Sequence, residues 1–243
     1  MPNYVKNILT GTFPSVEKAN AYRALCKGET SLDFQRIIPR PKTLDILSPS
    51  DCAMAYAHMR LHEPLPDTVG QVNWMYYLGC AENELEKLPS GWIEGTADDT
   101  ESSQNLILSG GYPRTKEEFL FLGRTACQNM TKYGHASWYE WNIANWGTKW
   151  NAMDVSENIE GTTVEFVFDT AWSASFPIVQ ALAEKFPDAV FTLQYADEEL
   201  QSGNVGSIVY KHKQEIEDDI GDTFEFACEI WGLDPAEELR ECD

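Results

Sequence analysis

The residues with the clearest chemical potential lie at 138–151, the tryptophan segment, where four Trp and one Tyr fall within fourteen residues. Aromatic rings stack on flat ligands, and nearby amide, hydroxyl and ammonium groups supply hydrogen bonds to such a ligand. The alternative is structural, because large rings also lock a loop onto a sheet by burial. The sequence leaves both interpretations open. The candidate ligand-binding residues are Asn145, Trp146, Thr148, Lys149, Trp150, Asp169 and Trp172.

Negative charge is the second feature that bears on function. The chain has 39 acidic and 18 basic side chains, a net charge of −21, and residues 191–243 alone hold 15 acidic and 3 basic ones. Such a charge disfavours nucleic acid and anionic membranes and attracts basic proteins. We therefore expect a basic protein as partner, with no direct nucleic-acid or membrane binding; the alternative is that the charge only keeps the chain soluble. The candidate partner-binding residues, called the acidic segment, are Glu215, Glu217, Asp218, Asp219 and Asp222.

The remaining residues form no recognisable catalytic or metal-binding motif. His58 and His62 are spaced to share one helical face, but Met59 follows His58, so the pattern is not HExxH, and no third ligand is evident. There is no GxSxG, P-loop or GxGxxG motif, and no two of the six cysteines lie within four residues of each other. The sequence predicts no metal, no cofactor and no catalytic residue, and it favours a non-enzymatic protein.

The elements that must position these residues are indicated by the spacing of apolar side chains. Alternation of polar and apolar residues, with β-branched side chains, predicts strands. The predicted strands are 4–10, 32–38, 153–159, 163–169, 190–195 and 207–212. Helical spacing predicts a helix after Ser15, which caps it, and helices over 176–186 and 223–232. This order favours an antiparallel sheet with helices on one face.

Several short motifs at both ends of the chain are specific enough to compare with a known family. They are Met1–Thr10, Leu32–Pro41, Asn145–Ala152, Phe168–Ser173, Ala181–Pro187 and Tyr195–Glu199. These motifs resemble those of the YubB-type ferredoxin-like proteins of phages and plasmids. The resemblance implies a ferredoxin-like α+β fold, named for its topology and without an iron–sulfur cluster, and a mobile-element origin. It implies no catalytic residues, because no biochemical activity is established for that family.

The resemblance and the patterns together predict three parts. Residues 1–47 are the N-terminal β-α-β part of the ferredoxin-like core, and residues 136–243 are its C-terminal α+β part with the acidic end. Residues 48–135 match neither and are predicted to be a mainly helical insert. Within the insert, residues 89–105 are rich in Gly, Ser, Asp and Thr, which predicts a loop.

Two functions remain open from the sequence. The first is a non-enzymatic phage or plasmid accessory protein that binds a basic protein, for example as an acidic inhibitor of a host defence or nucleic-acid-processing protein. The second is a small-ligand protein or enzyme with a nucleotide-like ligand in a cleft at the tryptophan segment. No apolar run is long enough to span a membrane and the start lacks a signal-peptide core, so we expect a cytoplasmic location in the host cell. The sequence does not indicate an oligomeric state.

Overall fold

The computed structural model of the chain describes residues 3–62, 100–211 and 214–241. The chain divides into two compact units, Met1–Pro39 with Asn142–Asp243, and Arg40–Trp141. The strands are β1 (Tyr4–Thr12), β2 (Met153–Glu160), β3 (Thr163–Ala171), β4 (Val190–Asp197), β5 (Val205–Lys211) and β6 (Gln214–Glu217). The helices are α1 (Val16–Cys26), α2 (Phe34–Ile37), α3 (Pro49–His62), α4 (Thr100–Leu108), α5 (Lys116–Tyr133), α6 (Trp138–Trp146), α7 (Phe176–Lys185), α8 (Thr223–Trp231) and α9 (Pro235–Glu241). None of the helices in the described ranges is long and apolar enough to cross a membrane.

The first unit is built around a six-stranded antiparallel sheet with β1 near its centre. The strand order is β2-β3-β1-β4-β5-β6, and each neighbouring pair is antiparallel. The strands β1 to β4 with α1 and α7 run β-α-β-β-α-β, and β1 lies between β3 and β4, which is the ferredoxin-like arrangement. The predicted antiparallel α+β fold is therefore confirmed. The last two strands, β5 and β6, extend the sheet beyond β4.

One face of the sheet carries the aromatic core of this unit. Strict alternation along β1 and β3 directs every second side chain to this face, where Leu9, Phe166 and Phe191 are fully buried. Tyr22 of α1 lies 5.7 and 5.5 Å from the Phe166 and Phe191 ring centroids. Phe186, which follows α7, meets Tyr22 edge-on. The helices α1 and α7 thus cover this face, as the sequence predicted.

The opposite face holds helix α8, which departs from the prediction that the helices lie on one side of the sheet. Lys6 pairs with Ala196 in the sheet register, so both side chains point to this second face with Ile8. Helix α8 packs here through a buried cluster of Ala196, Ala227 and Ile230. The first face is already filled by aromatic rings and two helices, so the apolar side of α8 is buried on the other one.

The segment 32–38, predicted as a strand, instead leads into the single-turn helix α2. The Asp33 carboxylate accepts the Gln35 N–H at 2.9 Å, and the Asn151 side-chain carbonyl accepts the Phe34 N–H at 2.8 Å. These contacts satisfy the first amide groups of the turn. Both edges of β1 are occupied by β3 and β4, so no central position is left for this segment. A short apolar run fits either a strand or a buried helical turn, which explains the wrong prediction.

The second unit contains α3, α4 and α5 around an apolar core of its own. Thr115 and Glu118 form a capping box that begins α5. Helix α4 shows that the loop predicted for 89–105 is wrong over residues 100–105, because Ile107 on the same helix is fully buried and draws it into the core. Residues 89–99 lie outside the described ranges. The boundaries predicted for the insert stay a prediction.

Candidate binding surfaces

Two of the candidate ligand-binding residues belong to the core of the first unit. Trp146, the last residue of α6, is 2% exposed, its ring packs edge-on against Phe34, and its indole N–H donates to the Ile38 carbonyl at 2.9 Å. Thr148 is buried too; its hydroxyl donates to the Ala171 carbonyl at 2.9 Å and accepts the Ala171 N–H at 3.0 Å. Because both side chains are held by the protein itself, the structural interpretation is favoured for these two residues.

Three other candidates form a stack of two rings and a cation. Gly147 turns the chain out of α6 with a φ of 81°, and a Cβ there would lie 2.7 Å from Pro177 Cδ, so only glycine fits. The chain then leads to Lys149, whose Nζ lies 4.7 Å from the Trp150 ring centroid and 4.9 Å from that of Trp172. Cation–π contacts of this length are attractive. Lys149, Trp150 and Trp172 are thus brought together on the surface of this unit.

Trp172 is held in a backbone conformation that tryptophan rarely adopts. Its φ is 68° and its side chain is 44% exposed. The Trp172 N–H donates to the Asn3 carbonyl at 2.9 Å, and the Trp172 carbonyl accepts from the Asn204 side chain at 3.0 Å. Both Asn side chains also donate to the buried carboxylate of Asp197. Positive φ at a bulky residue costs about 1–3 kcal/mol. The hydrogen bonds around Trp172 offset this cost, and they hold the ring in an exposed position.

Asp169 lies apart from the stack, on the second face of the sheet. It pairs with Lys6 across β1 and β3, and the Lys6 ammonium lies 4.4 Å from the Trp231 ring centroid. Burial raises the pKa of Asp169, Lys6 opposes that rise, and the charges of Asp154 and Glu198 add to it. The last candidate, on the final turn of α6, is the half-buried Asn145.

The acidic segment lies on the edge strand β6 and on its connection to α8. Four of its carboxylates are exposed, and each accepts a hydrogen bond from a neighbouring group. The donors are the Tyr210 hydroxyl to Glu215 (2.8 Å), the Ser207 hydroxyl to Asp218 (3.2 Å), the Gly221 N–H to Asp219 (3.0 Å), and the Phe224 and Glu225 N–H groups to Asp222 (2.9 and 3.0 Å). The fifth residue, Glu217, belongs to β6 by its backbone, and its side chain lies outside the described part. The negative charges are therefore presented at fixed positions.

The sequence did not reveal the side chains that fix these carboxylates. Tyr210 and Ser207 lie on β5, and the register of β5 with β6 makes them neighbours of Glu215 and Asp218. The pKa of the Tyr210 phenol is raised mainly by burial. The hydrogen bond to Glu215 and the negative charge of Glu215 raise it further. Only Asp222 carried a local signal, since an Asp before an apolar helical run is typical of a helix N-cap.

The described residues add no metal-binding group and no reactive thiol to the candidate sites. Among residues 3–62, 100–211 and 214–241, no group of three or more His, Cys, Asp or Glu is placed to hold a metal ion. The side chains of His58 and His62 fall outside the described part, so the absence of a metal site stays a prediction. Burial raises the pKa of the Cys26 thiol to about 12 and also raises that of Cys52. Both thiols are thereby kept from the reactive thiolate form.

The fold defines an α+β protein with a ferredoxin-like domain, and the family that part of the chain matches is described by the same fold. Residues 145–240 match the family described as the ferredoxin-like domain in Api92-like protein. A crystal structure of a protein Api92 from Yersinia pseudotuberculosis is similar over 91% of this chain and 100% of that one, with 10% identity and a TM-score of 0.43. The curated proteins contain no match to the chain. The YubB-type resemblance and the phage or plasmid origin stay predictions.

Proposed function

We propose that this protein acts by binding another protein, without catalysis, and that its partner is basic. The observation that carries the proposal is the acidic segment, where four exposed carboxylates are fixed by hydrogen bonds on one sheet edge and the connection that follows. Charges that are already held in place lose less conformational entropy when a partner binds. A preorganised negative surface of this kind suits recognition better than a freely moving acidic loop does.

The charge around the acidic segment supports the choice of a basic partner. Residues 214–241 contain eleven carboxylates and a single basic side chain, Arg240. The resulting potential speeds encounter with a positively charged protein and repels nucleic acid. Since grooves that bind nucleic acid are positively charged, we place the partner among host defence or nucleic-acid-processing proteins. On this proposal the protein is an accessory factor of a phage or plasmid that works in the host cytoplasm.

The test compares two variants that each lose four negative charges while keeping side-chain size and hydrogen-bond acceptors. The segment variant carries Glu215→Gln, Asp218→Asn, Asp219→Asn and Asp222→Asn. The control variant carries Glu29→Gln, Glu160→Gln, Glu184→Gln and Asp188→Asn, all exposed positions outside the acidic segment. Tagged wild type and both variants are used to capture proteins from a bacterial lysate at low and high salt.

The proposal predicts that wild type and the control variant retain the same basic protein and that the segment variant captures about tenfold less of it. Retention should be lost near 1 M salt, where the Debye length falls to about 3 Å. Equal retention by the two variants would show that the acidic segment is not the interface. Unchanged retention at high salt would contradict a charge-based interaction.

A second candidate function is the binding of a small aromatic ligand at Trp172. The specific observation in its favour is the positive φ of this exposed residue, because strained positions that the surrounding structure fixes are common at ligand-binding sites. Lys149 beside the ring would attract an anionic group, so a nucleotide is the class of ligand that fits both features.

Calorimetric titration with adenine and guanine nucleotides tests this second candidate. Binding by the wild type that is lost in Trp172→Ala and retained in the segment variant would support a nucleotide site. If the wild type gives no heat of binding with any of these nucleotides, the candidate is wrong.

A further inference from the structure

We propose that the outer edge of β6 binds its basic partner by strand addition, accepting an extended segment of that partner as a seventh strand of the sheet. The inference rests on the proposed function and goes beyond it by naming the mode of recognition. It commits to one occupant, a basic segment in extended conformation. In such binding, main-chain hydrogen bonds supply affinity and the alternating side chains supply specificity.

The backbone of β6 presents the groups that such binding needs. The Asp218 N–H donates to the Ser207 carbonyl at 3.0 Å, which places this residue pair among the hydrogen-bonded pairs of the antiparallel ladder. Residues that pair across an antiparallel ladder alternate between bonded and non-bonded positions. The amide groups of Ile216 therefore point towards β5, while those of Glu215 and Glu217 point outward. Within the described ranges no strand follows β6 in the sheet order.

The side chains beside this edge favour a basic occupant. Glu215 lies on the core side of the sheet edge, and its carboxylate is fixed by Tyr210. Asp218, just beyond the strand, is fixed by Ser207 and lies on the face opposite to Glu215. Ile216, which is 52% exposed, lies on the same face as Asp218 and offers an apolar contact there. An added strand that alternates basic and apolar residues would place its basic residues beside Glu215 on one face and its apolar residues beside Ile216 on the other.

A second copy of the chain is the obvious competing occupant, and the charges disfavour it. Two β6 strands placed side by side would bring Glu215 and Asp218 of each copy close to the carboxylates of the other. Like charges on adjacent strands are destabilising. A basic segment turns the same contacts into attraction, so charge decides between the two occupants.

The other edge of the sheet shows how an edge is protected against pairing. The register of β2 shifts between Met153 and Ser156, and Asp154 there has a φ of 49°. Such irregularities interrupt the row of amide groups that an added strand would need. The charge of Glu157 on β2 is also neutralised by Arg23 at 2.6 Å. Strand β6 pairs with β5 without any register shift, and it lacks this protection.

The experiment uses a labelled peptide of alternating Lys and Val and a second peptide of the same sequence and charge with every backbone nitrogen methylated, so that neither edge of the peptide can donate. Methylation removes hydrogen-bond donors and leaves the charge unchanged. Binding of each peptide to wild type is followed by fluorescence anisotropy. Amide hydrogen exchange of Glu215 and Glu217 is followed by NMR in the same samples, and the segment variant serves as the charge control.

Strand addition predicts that the methylated peptide binds about tenfold more weakly and that the unmodified one slows exchange at Glu215 and Glu217. The segment variant should bind both peptides more weakly and keep the ratio between them. Equal binding of the two peptides, or unchanged exchange at both amides, would overturn strand addition while leaving charge-based binding intact. If neither peptide binds the wild type, both the inference and the proposed function fail.

Discussion

The tryptophan segment and the acidic segment each concentrate one kind of residue, and the fold uses them in opposite ways. Trp146 is buried against Phe34 and donates its indole N–H to the Ile38 carbonyl, so the ring is part of the core. Glu215 and its acidic neighbours stay exposed, and hydrogen bonds fix them there. The comparison teaches that density of a residue type does not mark a binding surface. What distinguishes a surface is exposure combined with fixed geometry.

The largest effect expected from this comparison is on stability at Trp146. Trp146→Ala should lower the free energy of unfolding by about 3–5 kcal/mol, because it leaves a cavity beside Phe34 and removes the hydrogen bond to Ile38. Urea denaturation measures the change. The segment variant, with four substitutions, should lose far less free energy of unfolding, because its Asn and Gln side chains keep the oxygen atoms that accept the hydrogen bonds. A loss below about 1 kcal/mol in Trp146→Ala would mean that this ring is not a core residue.

A smaller effect is expected at Trp172, which lies close to the tryptophan segment but outside the core. At a φ of 68° glycine is unstrained and alanine is not. Trp172→Gly should therefore be more stable than Trp172→Ala by about 1 kcal/mol in thermal or urea denaturation. Equal stability of the two variants would show that the backbone strain at this position is absent or is relieved on substitution.

The smallest effect concerns the pH dependence contributed by Asp169. Its pKa is raised in the folded state, mainly by burial, so between the unfolded and the folded pKa the folded protein binds more of this proton than the unfolded chain does. Stability from this group therefore falls as pH rises from the unfolded pKa, about 3.9, through the folded one. Asp169→Asn should raise the free energy of unfolding at about pH 7 relative to wild type and change it less at about pH 4. A gain that is the same at both pH values would count against the raised pKa.

Much of the fold follows from local patterns, because alternation is visible within a single strand. The alternating runs at 163–169 and 190–195 predicted β3 and β4 in this way. The strand order did not follow, since β1 inserts between β3 and β4 through contacts distant in sequence. The strand predicted at 32–38 was wrong for the same reason, since β3 and β4 occupy both edges of β1 through contacts distant in sequence.

The candidate surfaces were less predictable than the fold for a related reason. The sequence marked Trp172 and Glu215 as candidate binding residues. The positions in which they are held depend on partners elsewhere in the chain. Asn204 holds the Trp172 backbone, and Tyr210 holds the Glu215 carboxylate. Each of these partners is an ordinary residue in its own sequence context, so no local signal identifies it.

The most direct test of the central claim is the salt dependence of binding to one defined basic peptide, measured on wild type, the segment variant and the control variant. Binding through several ion contacts weakens steeply as salt screens them. We expect wild type and the control variant to show the same steep slope of log affinity against log salt concentration, and the segment variant to show a much shallower one. The same slope in all three proteins would contradict the account, because it would assign the binding to net charge alone and not to the acidic segment.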